Sequence, residues 1–550
     1  MAKLKEYPKL FLKSLMLLAR GDFKTLLNNI KEGFYYSFDK LLPHNSFIRY
    51  QLWKINVKKE YRAERNQAKF AVIYFYDEFF DQKLFKKLFE GLKKQKYSDY
   101  RLFRSDEILR EPDILRKESF THLCFVEQGD SISNNALLAL NCALSMESPP
   151  DVIYTDEDRK NRLGIRYGAY FKPEYLPFLI LSHNYMNALL CIKISNSLIV
   201  ELNNTEKINQ EWMYRFVLNK LSNNAEIKRI PDVLYHRSDD NSKKLENNST
   251  REIIQEELNK RGINADFIEY GQTGVNKFKI KHSDNPKVSI IIPFKDKISL
   301  LKACVDSIEK KTSYKNYEIM LVNNRSSENE TYEYLSSTKY SVINADIDFN
   351  FSTLNNIAAQ SADGEYLILL NNDTEVISPD WVENMLALAQ LKETGAVGAK
   401  LLYGDGRIQH AGMIVISDGG GHINRLMNSD KGGYMEYNGL IREYRAVTGA
   451  CLMVSREKYH EAGGLNENFA VEFNDVDFCL KLNDLGYYNV YSPHSVLYHL
   501  ESISRKKSFK ASRKDEHRYK LDKWSKVLED DPNYNPNFVK KGANFAIRIY

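Results

Sequence analysis

The alternation of apolar and polar positions divides most of the chain into two similar regions. The first has apolar runs of strand length, separated by helix-prone stretches such as 84–96, at residues 70–76, 122–126, 151–154 and 230–236. The second repeats the arrangement around a helical pattern at 298–310, with apolar runs at 287–293, 317–322 and 365–370. Strands that alternate with helices predict two α/β units, each built on a parallel sheet covered by helices.

Residues 1–66 have a different pattern. They contain 14 Lys and Arg against 6 Asp and Glu, and their apolar residues recur at roughly helical spacing. A basic amphipathic helix can lie on an anionic membrane surface, but the same spacing also fits a helix packed on its own protein. Periodicity does not separate these two interpretations, and both stay open.

Composition excludes several classes of protein. Hydrophobic residues make up 43% and charged residues 27% of the 550 residues, which is typical of a folded globular protein. The net charge of +5 is small for a protein that binds nucleic acid through phosphate contacts. The six cysteines form no C-x-x-C pair, which suits a reducing cytoplasm, and no secretory signal or spanning run of about 18 apolar residues is visible. We therefore expect a cytoplasmic protein that does not bind nucleic acid.

Three polar clusters carry candidate chemistry. Asp373 follows the apolar run 365–370, and a carboxylate at that edge of a sheet can bind Mg²⁺ or Mn²⁺ beside a diphosphate. Asp475 stands at the start of a helical stretch, where it is either a helix cap or a general base. His499 ends a strand-like segment and is either structural or a metal ligand. Each cluster alone is a weak signal.

In their order along the chain, several segments resemble family 2 glycosyltransferases, the inverting nucleotide-sugar enzymes of the GT-A fold, and in particular the rhamnosyltransferase-like subgroup of bacterial surface-polysaccharide and O-antigen synthesis. These segments are KVSIIIPFKD, YEIMLVNNRSS, LLNNDTEV, QHAG, AVTGACLMVSRE, FNDVDFCLKL and YHLESISR. The ordered set is far more specific than any one of its members.

The resemblance implies a role for each matching residue. Asp475 would be the catalytic base, and Asp373 with His499 would hold the divalent cation. The residues implied to bind the nucleotide sugar are Pro293, Phe294, Asn323, Asn356, Asn372 and Asp373. Those implied on the side of the acceptor or the donor sugar are Thr448, Gly449, Asn474, Gln409 and His410. Asn323 and Asn371 replace acidic residues that are usual in the family. The nucleobase of the donor and the affinity for the metal are therefore in question.

The first region resembles a second, degenerate copy of the same domain. Its residues 126–130 (VEQGD) stand where the metal motif would be, and EWMYRFVLNKL stands where the base motif would be, without the aspartate. The acidic cluster Asp156, Glu157 and Asp158 is interpreted as solvated or structural, since acidic runs are usually exposed to solvent. An internal duplication with one inactive site accounts for both observations.

These inferences define five segments: a basic helical segment (1–66), a degenerate GT-A-like domain (67–245), a linker helix and connector (246–285), the catalytic domain (286–505) and a helical tail (506–550). The predicted function is transfer of a sugar from a nucleotide diphosphate to a hydroxyl group of a glycan acceptor, expected to be lipid-linked, with peripheral contact at the inner membrane. The alternative is an inactive protein of the same fold that binds a glycan or acts as a scaffold. A sugar nucleotidyltransferase would need a glycine-rich loop after the strand 287–293, and PFKDKISL has no glycine.

Overall fold

The computed structural model describes residues 43–57, 59–62, 68–76, 81–222, 225–239, 247–268, 275–416, 419–500 and 523–549. Most of the predicted basic segment, residues 1–42, and the stretch 501–522 lie outside these ranges. Among the described residues, the model contains no helix with the length and apolar character needed to cross a bilayer.

The first unit is an eight-stranded sheet with helices packed against it. Its strands are β1 (Phe70–Tyr74), β2 (Tyr100–Arg104), β3 (His122–Val126), β4 (Ser131–Ile132), β5 (Val152–Lys160), β6 (Arg166–Tyr170), β7 (Cys191–Lys193) and β8 (Ile227–Ser238). Its helices are α1 (Phe47–Asn56), α2 (Gln82–Leu92), α3 (Ser105–Arg110), α4 (Ile114–Lys117), α5 (Ala136–Leu144), α6 (Leu179–Ser182), α7 (Asn196–Asn203) and α8 (Gln210–Ser222). The strand order is β2-β1-β3-β7-β5-β8-β4, with β6 beside β5.

A connector follows, made of helix α9 (Asn247–Lys260) and the antiparallel pair β9 (Ala265–Phe267) and β10 (Phe278–Ile280). The predicted linker helix is therefore present. It ends just before Gly262, whose φ of +70° is the left-handed conformation that commonly follows a helix.

The second unit is a ten-stranded sheet. Its strands are β11 (Val288–Phe294), β12 (Tyr317–Asn323), β13 (Ser341–Asn344), β14 (Tyr366–Leu370), β15 (Thr374–Val376), β16 (Thr394–Leu402), β17 (Ile408–His410), β20 (Arg442–Tyr444), β21 (Cys451–Ser455) and β22 (Tyr488–His499); β18 (Met413–Ile416) and β19 (Gly419–His422) form a separate hairpin. Its helices are α10 (Ile298–Lys311), α11 (Asn329–Ser337), α12 (Phe351–Ser361), α13 (Trp381–Ala389), α14 (Arg456–Glu461) and α15 (Asn474–Asp484).

Burial explains why the apolar runs were visible in the sequence. All seven residues of β11 are buried, as expected for a central strand covered on both faces. Helix α10 buries Leu301, Cys304, Val305 and Ile308, a helical spacing that places one face on the sheet. The fold class is α/β, as predicted. Neither sheet is purely parallel, however, because β7 and β21 run antiparallel to both of their neighbours.

The two sheets have the same topology. In the second, the order is β13-β12-β11-β14-β21-β16-β22-β15, with β17 beside β16. Apart from the extra strands β13 and β20, each strand has a counterpart in the first sheet, and every shared pair has the same parallel or antiparallel sense. The matched order is what an internal duplication would produce.

The prediction of a helical tail at 506–550 is wrong for its last part. Residues 523–529 are helical, but 530–549 form turns and bridges. Pro532 and Pro536 explain the difference, since each removes a backbone donor and restricts the residue before it. Asn535 of this tail donates to both carboxylate oxygens of Asp156, at 3.1 and 2.9 Å, so the tail is anchored in the first unit.

Helix α1 is part of this packed structure, although it falls inside the predicted basic segment 1–66. Arg49 and Tyr50 are buried, and Arg49 donates to the carbonyl of Ile547 at 2.6 Å. Trp53 donates to Asn537 at 3.2 Å. For residues 47–56 the structure therefore favours a helix packed on its own protein over a helix on a membrane.

Candidate active site

The carboxyl end of β14 brings Asp373 and His499 together. Asp373 follows that strand and directly precedes β15, where Thr374 pairs with His499 at the end of β22. Asp373 Oδ1 lies 3.2 Å from His499 Nε2, and the backbone N–H of Leu500 donates to the carbonyl of Asp373 at 3.0 Å. Both side chains are largely buried, and the register of two strands fixes their separation.

Gln409 determines which nitrogen of His499 carries the proton. Its Oε1 lies 2.7 Å from Nδ1 of His499, and an amide oxygen can only accept a hydrogen bond. On the other side of the ring, Nδ2 of Asn371 faces Nε2 at 3.2 Å and can only donate. Gln409 therefore holds a proton on Nδ1 of His499, and Nε2, the nitrogen that a metal ion would take, faces Asn371 Nδ2 and Asp373 Oδ1, each at 3.2 Å.

This donor set fits a hard divalent cation that shares its coordination with a diphosphate. Asp373 supplies a carboxylate and His499 an imidazole lone pair, and these two converge. Within the described parts of the chain no group of three or more His, Cys, Asp or Glu side chains is arranged to hold a metal ion. Mg²⁺ is commonly bound through one or two protein ligands together with substrate phosphates and water, so two side chains are enough.

Asp475 occupies the first turn of α15 with both carboxylate oxygens oriented by backbone donors. Gly449 N–H donates to Oδ2 at 2.9 Å, and the N–H of Val476 donates to Oδ1 at 2.8 Å. Burial raises the pKa of Asp475 above its usual range, although these backbone hydrogen bonds oppose the shift. A fixed carboxylate with a raised pKa is suited to accept a proton near neutral pH.

A short stretch of backbone connects Asp475 to the Asp373 and His499 pair. Gly449 contacts Asp475, and the carbonyl of the next residue, Ala450, accepts a hydrogen bond from the N–H of Asn371 at 3.0 Å. The turn before β21 therefore touches the base on one side and the metal motif on the other. The structure brings these three predicted residues to one edge of the second sheet.

The predicted nucleotide-binding residues lie at the neighbouring strand ends. Phe294 ends β11 and pairs in register with Asn323 at the end of β12, one position after Pro293. Asn323 donates to Asn344 Oδ1 at 2.9 Å and accepts from the N–H of Ser326 at 3.1 Å. Its amide thus holds the turn that follows β12, which is a structural role that an aspartate could fill only in part because it lacks a donor.

Two of the predicted contacts do not fit the geometry. Asn356 has its whole amide engaged with Tyr459 and the loop after α14: its Oδ1 accepts from Tyr459 and Leu465, and its Nδ2 donates to Leu465 and Glu467. His410 is fully buried. The interpretation of His410 as a residue that faces the donor sugar is therefore wrong, because an enclosed ring has no surface to offer.

The remaining predicted residues surround the site. Thr448 is a neighbour of Gly449 and hydrogen bonds to Asp475. Asn474 accepts a hydrogen bond from the N–H of Asp475 at 2.8 Å, and Asn372 lies in the turn between β14 and β15. Asn474 therefore acts within the first turn of α15.

The sequence reasoning missed His422. It ends β19, and its Nδ1 lies 3.1 Å from Nδ1 of His410, the last residue of β17. Burial, followed by the nearby His422 and His499, lowers the pKa of His410 well below its usual value. The three glycines that precede His422 could have indicated a strand in close contact with its neighbours. A Cβ atom on Gly420 would lie 3.1 Å from Val476 of α15.

Comparison with known families agrees with this arrangement. Residues 289–462 match the family described as Glycosyl transferase family 2. This range contains β11, β14 and the turn before β21, and hence Asp373 and Gly449. Residues 289–462 therefore form a family 2 glycosyltransferase domain.

Two curated relatives match over most of this chain. Uncharacterized protein y4gI of Sinorhizobium fredii is 31% identical over 523 residues, which are 85% of this chain and 57% of the relative. O-antigen biosynthesis protein RfbC of Myxococcus xanthus is 30% identical over 447 residues, or 77% of this chain and 34% of the relative. The chain thus spans about half or less of the length of these relatives.

Similar solved structures include a GalNAc-T7 complex with UDP, GalNAc and Mn²⁺, at 17% identity and a TM-score of 0.35, covering 44% of this chain and 50% of that one. Another is mannosyltransferase PcManGT of Pyrobaculum calidifontis with GDP-Man and Mn²⁺, at 16% identity and a TM-score of 0.33, covering 46% and 69%.

Proposed function

We propose that the protein is an inverting glycosyltransferase that moves a sugar from a nucleotide diphosphate to a hydroxyl group of a glycan acceptor. The observation that carries the proposal is the arrangement of Asp373, His499 and Asp475 around the turn at 449–450. Asp373 and this turn lie inside the range that matches family 2, and Asp475 and His499 follow it in the sequence. One side of this turn carries groups suited to a diphosphate and its cation. The other side carries the carboxylate of Asp475, which can accept a proton.

The Asp373 side would bind the donor. Asp373 and Nε2 of His499 would hold Mg²⁺ or Mn²⁺, which when bound neutralises negative charge developing on the departing diphosphate. Gln409 keeps the proton of His499 on Nδ1, so the ligand atom needs no change of tautomer when the donor arrives. Asn323 and Phe294 would border the nucleotide at the ends of β12 and β11.

Asp475 would act on the acceptor. Its oxygens are held by Gly449 and Val476, so the carboxylate can accept the hydroxyl proton without first reorienting. Attack from the face opposite the diphosphate passes through a transition state with oxocarbenium character and inverts the anomeric carbon in one displacement. A positioned general base typically contributes about 10²–10⁴-fold to the rate.

The biological context of the proposal rests on a relative's name. RfbC of Myxococcus xanthus is named for O-antigen biosynthesis, and we extend that role to this chain as the synthesis of a bacterial surface polysaccharide. A lipid-linked acceptor at the inner face of the membrane would suit it. Residues 1–42 carry 8 Lys and Arg against 4 Asp and Glu, and this excess of positive charge favours contact with anionic lipid.

The test is a screen of UDP-, GDP- and dTDP-sugars with Mg²⁺ or Mn²⁺ and glycan acceptors, read by product mass and by NMR of the new anomeric centre. The proposal predicts a product whose anomeric configuration is opposite to that of the donor. Retention of configuration would contradict the single displacement. Binding of a glycan without turnover of any donor would instead support the alternative of a non-catalytic binding protein.

Contact with the membrane is tested by comparing the unmodified protein with a variant that lacks residues 1–42. The deletion does not extend to residue 66, because α1 is packed into the structure. We expect the deletion to reduce sedimentation with vesicles that contain anionic phospholipid and to leave turnover of a soluble acceptor unchanged. Equal sedimentation of both proteins would contradict the role of this segment.

A further inference from the structure

The matched topology of the two sheets identifies which residues of the first unit correspond to the candidate cation site. In the second sheet, Thr374 of β15 pairs with His499 of β22, and Asp373 stands just before that pair. In the first sheet, Ser131 of β4 pairs with His236 of β8, and Asp130 stands just before it. Asp130 and His236 therefore hold the positions of Asp373 and His499.

These two side chains do not converge as their counterparts do. Asp130 accepts hydrogen bonds from Tyr235 at 2.7 Å and from the N–H of Ser238 at 2.7 Å. His236 directs Nδ1 to Asp158 at 2.6 Å and Nε2 to Ser133 at 3.2 Å. Both ring nitrogens of His236 thus have partners inside the first unit, and neither is directed at Asp130.

The residue after His236 is Arg237. Its guanidinium contacts side chains of the first unit, two of which stand at positions equivalent to residues beside the candidate site of the second unit. Its Nε donates to Glu157 at 3.0 Å, its Nη1 lies 3.6 Å from Glu127, and its Nη2 donates to Asn187 at 2.8 Å. Glu127 follows β3 as Asn371 follows β14, and Asn187 precedes β7 as Gly449 precedes β21. In the second unit, the residue after His499 is the uncharged Leu500.

The surrounding charges are already close to balance. Lys172 is fully buried and lies 3.3 Å from Glu157, while Arg166 lies 2.5 Å from Asp158. Burial raises the pKa of Glu157, but the charges of Arg237 and Lys172 outweigh it and lower the pKa to about 2. Burial, with a contribution from Glu127, raises the pKa of Asp130 to about 7. The carboxylates that face this edge therefore leave little unpaired negative charge for a dication.

We propose that the guanidinium of Arg237 takes the place of the divalent cation in the first unit, so that, of the two described units, the second alone holds a metal ion with a nucleotide diphosphate. The fixed positive charge satisfies the acidic groups that remain from the duplicated site and lets them stay buried without a metal. The first unit then serves as a folded support for the second and binds no donor of its own.

The proposal is tested by counting Mn²⁺ with electron paramagnetic resonance in the full-length chain. The background variant is D373N, which removes the candidate site of the second unit and separates this test from the proposed function. We expect D373N to bind no Mn²⁺ tightly. D373N/R237Q should gain about one equivalent because Glu127, Glu157 and Asp130 lose the positive charge of Arg237, and D373N/R237K should gain none. Mn²⁺ should also raise the melting temperature of D373N/R237Q alone.

A folded D373N/R237Q protein that takes up no Mn²⁺ would overturn the proposal. If that variant does not fold, the decision falls to D130N in the otherwise unchanged chain. The proposal predicts that D130N leaves the Mn²⁺ stoichiometry of the chain unaltered. Two equivalents of Mn²⁺ in the unmodified protein, with one lost in D130N, would show that the first unit holds a metal and that Arg237 does not replace it.

Discussion

Replacing Asp475 with asparagine separates a chemical role of this residue from a structural one. The substitution keeps the size and removes the charge. At Oδ1 the amide oxygen can still accept from Val476, but at Oδ2 an NH₂ group would face the N–H of Gly449, which now donates at 2.9 Å. One hydrogen bond to a buried group becomes a contact between two donors, so we expect a loss of about 1–3 kcal/mol in the free energy of unfolding.

The effect on turnover should be larger and separate. Loss of a general base is expected to lower kcat by about 10²–10⁴-fold, equivalent to about 3–5 kcal/mol in the activation free energy. The assay is product formation at saturating donor, with donor binding measured separately by calorimetry. We expect D475N to keep its affinity for the donor with Mn²⁺, because the hydrogen bonds of the Asp475 carboxylate run to Gly449, Val476 and Thr448.

Asp477, in the same turn of α15, offers a matched control. Its Oδ1 accepts from Lys523 and Trp524 at 2.8 Å each, away from the turn at 449–450. D477N weakens a buried ion pair and should cost stability on the scale of D475N, yet it should leave kcat within about threefold when both are assayed well below their melting temperatures. Comparable losses of turnover in the two variants would refute the assignment of Asp475 as the base.

Three further predictions follow from the same contacts. Q409L should weaken Mn²⁺ binding in the presence of nucleoside diphosphate by about 10–100-fold, since His499 loses the acceptor that fixes its tautomer. Q409E keeps an acceptor and should bind Mn²⁺ as the unmodified protein does. Equal affinities of Q409L and the unmodified protein in calorimetry would contradict the role of Gln409. Because burial raises the pKa of Asp475, kcat should fall as the pH is lowered through a value above the usual aspartate range, and a rate independent of pH down to 4 would argue against a base at this position. Glu443 is fully buried and accepts from the N–H groups of Phe178 and Leu179, and burial raises its pKa to about 7. The folded state therefore binds the proton of Glu443 more tightly than the unfolded state does. The free energy of unfolding should decrease as the pH rises from about 4.5 to 7, by on the order of 3 kcal/mol from this residue. In E443Q, the free energy of unfolding measured by chemical denaturation should change less over this pH range. The same pH dependence in both proteins would disprove the contribution.

The sequence predicts the strands well where burial is continuous. The apolar runs at 287–293 and 317–322 coincide within one or two residues with β11 and β12, because a strand covered on both faces has no polar positions to interrupt it. Antiparallel strands such as β7 were harder to assign. Strand β7 has only three residues, which is too short for an apolar pattern to show whether it pairs parallel or antiparallel. Its pairing is set by contacts with residues distant in the chain.

The candidate site was predicted only in part, for a related reason. Asp373, Asp475 and His499 are recognisable from the short motifs that contain them. The hydrogen bond between Gln409 and His499 joins residues 90 positions apart, and it depends on how β17 and β22 both pair with β16. Arg237 was missed because no local pattern distinguishes an arginine that balances buried carboxylates from one at the surface.

The most direct test of the central claim is Mn²⁺ titration of the full-length protein in the presence of UDP, GDP or dTDP. If Asp373 and His499 hold the cation that binds the diphosphate, at least one nucleotide will promote binding of one Mn²⁺ in the unmodified protein and in D475N. That binding will be lost in D373N and strongly weakened in H499A. Unchanged, nucleotide-dependent Mn²⁺ binding in D373N would contradict the account.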